Sequence, residues 1–235
     1  MVLKQSSSAA PHKKNHLLGD GRYSSLPVMN SSLVSSGNIS SLVNRIKLVV
    51  LSPRECWSTI SAEPADPQKL FKGMVLPLIV VGAVARILGL QVFGVNFGPL
   101  GTWRPSLLSS LSAEISVALI QTVLFFVAVA LIQRLAQFFS GNATRERATS
   151  LVAHAMLPSL VAGILGILPL LGLLGIILGI VGLYAFYQGV SVMTSVTEQH
   201  RLGFTASFIG IMILVSMVVY WVTFAMVPFP APPLQ

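Results

Sequence analysis

Apolar residues in this chain fall in long blocks rather than alternating at the two-residue period of a strand. The longest block, residues 151–193, is almost unbroken and carries Pro169 and Gly172 near its middle. A helix that crosses a hydrocarbon layer of roughly 30 Å needs about 20 residues, so this block has the length of two crossings joined by a very tight turn. Three further blocks bring the predicted spans to five: 73–93, 115–139, 151–168, 172–193 and 204–227. The expected fold class is an all-α membrane protein with five transmembrane helices preceded by a short cytoplasmic amphipathic helix, in a membrane domain covering 67–227.

The chain ahead of these blocks divides in two. Residues 1–38 are rich in Ser, Asn and Gly and show no hydrophobic period, so they are expected to be a disordered cytoplasmic segment. Residues 39–66 carry helix signals. Ile39, Leu42, Val43, Ile46, Val49 and Val50 recur at helical spacing, with Asn44, Arg45 and Lys47 on the other side. That segment is too short to span; it suits either an interfacial helix whose Arg45 and Lys47 meet anionic lipid or a helix packed on the membrane domain. Ser52-Pro53 then reads as an N-cap with proline at the first helical position, opening a short helix through Trp57 and Ile60 that Glu63-Pro64 stops. Asp66-Pro67 repeats the start signal, so the next helix should begin outside the bilayer and run into the first span, where Pro77 should kink it. Residues 228–235 form a short Pro-rich tail.

Composition agrees with lipid as the solvent: 54% of the residues are hydrophobic and only 9% are charged. The net charge of +8 is placed where it reports topology. Lys4, Lys13, Lys14, Arg22, Arg45, Lys47, Arg54, Lys69 and Lys72 precede the first span, whereas the 94–114 loop offers only Arg104. The next connection holds Arg134, Arg145 and Arg147, the 169–172 turn no charge, and the 197–203 loop Arg201. By the positive-inside rule the N-terminus is cytoplasmic and the C-terminus outside. The first apolar block starts only at Gly73, so no secretory signal peptide is expected, and Cys56 as the lone cysteine allows no internal disulfide.

Glycine spacing carries the packing signal. Gly172, Gly175, Gly179, Gly182 and Gly189 lie on one stripe of the fourth span, and Gly163 and Gly166 on a shorter stripe of the third. Small residues let backbones approach in lipid, so these two spans should form a close hairpin, with a homodimer through the same stripe as the rival.

Arg86 lies well inside the first apolar block, where a charge costs roughly 2.5–3.5 kcal/mol on insertion scales unless it snorkels or finds a partner. Glu114 at the entry to the second span is the candidate partner; snorkelling to the outer headgroups and a transport role are the alternatives. His154, near the start of the third span, is expected to be solvated or hydrogen-bonded rather than a proton relay. Gln121, Gln188, Tyr184 and Tyr187 are expected to link helices by hydrogen bonds. Trp57, Trp103 and Trp221 fall near predicted interfaces, where aromatic anchors are common. His12 and His16 lack the setting of a metal site, and no catalytic or metal-binding grouping is apparent, so no enzyme activity and no cofactor are expected.

The stretch Leu51-Ser-Pro-Arg-Glu-Cys-Trp57 with Ile60, Ala62-Glu-Pro64 and Val75-Leu-Pro77, together with the run from Leu170 through Tyr184 to Tyr187, resembles the bacterial branch of the Yip-one domain family over roughly residues 41–227. The resemblance implies a five-helix membrane domain with a cytoplasmic N-terminus, in the bacterial inner membrane. Eukaryotic members are linked to Rab-type GTPases and vesicle traffic. Their Asp-Leu-Tyr-Gly-Pro signature ahead of the first span is absent here, which argues against carrying GTPase binding over, and only the Gly182-Leu-Tyr184 region matches the family's glycine-tyrosine element. The expected function is a non-enzymatic scaffold that organises membrane or traffic, with the lipid bilayer, other integral membrane proteins and a second copy of itself as partners and no nucleic acid. A small-solute or ion permease is the alternative.

Overall fold

The computed structural model describes residues 53–96 and 98–226. The 1–38 segment, the 39–51 helix with Arg45 and Lys47, and the 228–235 tail lie outside the described residues. Helix α1 is Pro53–Ala62. Five helices long and apolar enough to cross a membrane follow: α2 Pro67–Val92, α3 Leu107–Phe138, α4 Arg145–Leu165, α5 Gly172–Thr194 and α6, which runs Glu198–Met226.

Capping explains where these helices start, and it places most starts earlier than the apolar blocks do. The Asp66 carboxylate accepts from the backbone N–H groups of Gln68 and Lys69, at 2.9 and 3.3 Å, so α2 begins in a polar turn ahead of residue 73. The Ser106 hydroxyl does the same for Ser109 at the head of α3, and Thr144 for Arg147 at the head of α4. The first turns of α2 and α4 are polar, so hydropathy alone does not register them, and α3 opens on Leu107-Leu108 but is cut off from its apolar block by Ser109, Ser110, Ser112 and Glu114.

Two prolines shape the spans. Pro77 has no N–H for the Gly73 carbonyl, and the turn just before it widens: Phe71–Val75 is a π turn in which the Leu76 N–H reaches back five residues to the Phe71 carbonyl. Pro158 has the larger effect. It denies a donor to the His154 carbonyl, and α4 breaks at Met156 into α4a, Arg145–Ala155, and α4b, Leu157–Leu165.

The break sets the architecture. α4a packs on α3, α5 and the first turns of α2, while α4b packs on α2 and α5. α2 also packs on α3, and α6 lies against α3 and α5. The core runs through Phe125, Ile132, Ala136, Leu151, Leu157, Val190, Met193 and Phe204, each under 2% exposed. The third span is thus the centre of the bundle, with 61% of its apolar window buried, whereas α6 buries 11%.

One end of the bundle collects Lys69, Lys72, Arg134, Arg145, Arg147 and Arg201; we call it the basic end. There the α3–α4 turn is tied to the end of α5 by the Asn142 N–H, which donates to the Thr194 carbonyl at 2.8 Å. Ser140 and Ser195 both take positive φ (56° and 54°) to make these turns. At the opposite end Val95–Asn96 and Thr102–Trp103 pair antiparallel in a two-residue ribbon, and the Gln91 side chain joins the Pro105 carbonyl and the Ser110 hydroxyl.

Candidate functional site

Two polar constructions stand out, one toward each end of the bundle. Arg86 lies six residues before the end of α2 at Val92, and Glu114 seven after the start of α3 at Leu107. At 1.5 Å per residue both are about 10 Å inside their helix ends, so the antiparallel helices bring them level. The guanidinium grips the carboxylate from two nitrogens: Nη2 to Oε2 is 2.7 Å, and Nε lies 3.0 and 3.1 Å from the two oxygens. Their side chains are 24% and 11% exposed. Such a fork satisfies both charges together, which is what a low-dielectric setting requires.

Three glycines make room for the arginine. A Cβ at Gly166 would stand 2.7 Å from Arg86 Cγ, one at Gly163 2.9 Å from Nη1, and one at Gly82 3.3 Å from the same nitrogen. Gly89 adds a close crossing, since its Cβ would fall 2.6 Å from the Ile167 carbonyl oxygen. This corrects the expected role of Gly163 and Gly166. They face α2 rather than α5, because the surface they open is where the Arg86 side chain lies. The α4–α5 hairpin is closed instead by Gly182, whose Cβ would sit 2.9 Å from the Ala155 carbonyl oxygen, with Gly175 in ordinary contact with Ala162. Gly172 and Gly179 meet nothing within 4 Å, so the five-glycine stripe is used only in part.

The second construction is a slot at the basic end. Trp57 of α1 is 1% exposed, and its indole N–H donates to the Ala185 carbonyl of α5 at 2.9 Å. Gly189 makes this possible. A helical side chain covers the turn on its N-terminal side, so a residue four positions after Ala185 would normally shield that carbonyl. A Cβ at Gly189 would collide with the indole at 2.5 Å and with Leu151 Cδ1 at 2.6 Å. His154 closes the slot, its ring edge-on to the indole at 6.3 Å between centroids. It is 1% exposed, with Nδ1 2.8 Å from the Ser150 carbonyl oxygen, a geometry that puts the proton on Nδ1.

One expectation is corrected here. Trp57 is not an interfacial anchor: it is a core side chain delivered by a helix outside the five spans. His154, expected to be solvated or hydrogen-bonded, is hydrogen-bonded: α4 begins earlier than its apolar block and carries the ring into the interior, where Nδ1 meets the Ser150 carbonyl. Trp103 is half-buried, and Trp221, 74% exposed, faces outward from α6.

The other polar candidates are not brought together. Gln188 is buried, Gln121 and Tyr187 are partly exposed and Tyr184 is 48% exposed; none of them makes a side-chain hydrogen bond to another described residue. Tyr187 instead lies under the Arg201 guanidinium, 4.1 Å from the ring centroid, while Arg201 pairs with Glu198 at 2.9 Å. Sequence reasoning took Arg201 only as a loop charge. The spacing of Glu198 and Arg201, three apart on one helix, was the signal for the pair. Among the described residues no group of three His, Cys, Asp or Glu side chains is placed to hold a metal ion.

No curated protein and no solved structure matches the chain. A family model does: that of the Yip1 domain, over residues 47–220.

Proposed function

Because the chain belongs to the Yip1 domain family, we propose that it is a non-enzymatic multi-pass scaffold that binds other integral membrane proteins through its lipid-facing helices and organises the membrane or traffic around it. The observation that carries this reading is the closure of the Arg86–Glu114 pair. A permeating solute or ion needs polar groups free to take it up, whereas here the charged groups deep in α2 and α3 hold each other in a two-pronged fork between packed glycines. α6 supports the scaffold role from the other side. It leaves Ile213, Leu214, Met217, Val218 and Trp221 at 54–74% exposure, an apolar surface for lipid and for helices of other proteins. By the positive-inside rule the basic end faces the cytoplasm, and the resemblance to the family's bacterial branch implies a bacterial inner membrane.

Proximity labelling in native membranes, compared between the wild type and the Arg86→Met/Glu114→Leu double variant, tests the reading. A scaffold keeps the same labelled neighbours when both charges are replaced. Loss of a solute flux in proteoliposomes from a double variant that remains folded would establish the permease instead.

A further inference from the structure

We propose that α1 is a detachable latch on the basic end of the bundle, with Trp57 as its bolt and the cleft between α4a and α5 as its keeper. Three observations converge on this. First, α1 packs chiefly on a single helix, α5. Of the side chains in 57–62, Trp57 and Ile60 are buried and Ser58, Thr59, Ser61 and Ala62 exposed, and residues 63–65, with Pro64 exposed and Glu63 and Ala65 half-buried, separate α1 from Asp66, the N-cap of α2.

Second, the slot is shaped for an indole that arrives from outside the spans. Gly189 removes the side chain that would cover Ala185, and Leu151 and His154 wall the opening. Third, departure of the indole orphans nothing. The Ala185 carbonyl lies inside helix α5, so its intrahelical acceptor role persists without Trp57, and the indole N–H that leaves is taken up by water. The vacated slot is itself hydratable, since it exposes the Ala185 carbonyl and lies beside the Ser150–His154 pair. An all-hydrocarbon slot would forbid such a state; this one offers water acceptors and donors. The latch is independent of what the outward helix faces bind.

The test uses the full chain in lipid nanodiscs, with Cys56→Ser removing the native thiol and Leu151→Cys placing one beside the indole. A membrane-impermeant maleimide reads the slot. Ala136→Cys, in the core of α3, serves as the buried control, since Ala136 is 0% exposed. In the presence of Trp57 the Leu151→Cys thiol should react at least about tenfold faster than the control. Adding either Trp57→Ala or Gly189→Leu, which evicts the indole, should raise that rate at least a further tenfold and leave the Ala136→Cys rate unchanged. Millimolar free indole should slow labelling of the Trp57→Ala protein and not of the Gly189→Leu protein, whose slot is filled.

Either of two results overturns the latch. One is a Leu151→Cys rate no faster than the control with Trp57 present. The other is acceleration of the Ala136→Cys control by both Trp57→Ala and Gly189→Leu, because α1 would then be part of the core that the bundle needs in order to fold.

Discussion

The Arg86–Glu114 pair makes a quantitative prediction through a double-substitution cycle. Removing one member of a buried ion pair strands the other charge, at a cost of about 3–5 kcal/mol, whereas replacing both by apolar groups of similar volume is often neutral. The side chains are 24% and 11% exposed and the fork is bidentate, so the low end of that range applies. Methionine keeps the unbranched stem that lies along Gly163 and Gly166, so Arg86→Met isolates the charge from the packing. We expect Arg86→Met and Glu114→Leu each to lose about 3 kcal/mol and the double variant no more than about 2, a coupling of at least about 4 kcal/mol, above the usual range for residues in contact. Reversible unfolding of the purified protein in mixed micelles, followed by circular dichroism, measures all four corners. Additivity within about 0.5 kcal/mol would refute the reasoning, because it would mean that each charge finds water or lipid headgroups on its own and the fork contributes nothing.

Other substitutions probe the remaining construction. Gly166→Val should destabilise by several kcal/mol in the same assay, since its Cβ would meet Arg86 Cγ at 2.7 Å, and the same change made in an Arg86→Ala/Glu114→Leu background, which holds neither the stem nor a stranded charge, should cost much less. Trp57→Phe keeps a ring in the slot but loses the bond to Ala185, so the Leu151→Cys labelling rate should rise about five- to tenfold, matching the roughly 1 kcal/mol of one hydrogen bond. Ser195→Gly should raise stability by up to about 1 kcal/mol, because Ser195 closes α5 at φ 54°, where glycine is unstrained; equal or lower stability would count against this. Cysteines at the exposed positions Arg147 and Thr102 should label from opposite sides of the membrane, the first from the cytoplasm; labelling from one side would overturn the proposed orientation.

The five helices were legible because hydrocarbon thickness imposes a length that no loop imitates, and the Asp66-Pro67 start was legible because a cap is a local event. What escaped the sequence was three-dimensional partnership. Gly163 and Gly166 announce that something approaches the third span closely, but their spacing is silent on which neighbour does. The answer depends on Arg86, whose charge says nothing of where its stem lies. Glu114 as its partner was readable from the antiparallel level of the two residues. That the arginine lies along a glycine track of a third helix was not.

Trp57 shows the same limit from the other direction. A tryptophan beside a predicted membrane border reads as an interfacial anchor, because its ring suits a place with one wet and one dry side. The slot that takes it instead is assembled from Gly189, Ala185, Leu151 and His154, on two helices more than ninety residues away in sequence. Of these, Gly189 holds the readable signal. It stands seven positions beyond Gly182, on the same stripe, yet α5 uses it for a different purpose: Gly182 admits the backbone of α4, while Gly189 bares a carbonyl for a side chain. A glycine stripe in a membrane helix is therefore two kinds of surface at once. Which kind each position serves is decided by whether the neighbour brings a backbone or an aromatic ring, and so by the break at Met156, which draws α4b toward α2 and leaves α4a and α5 to receive α1.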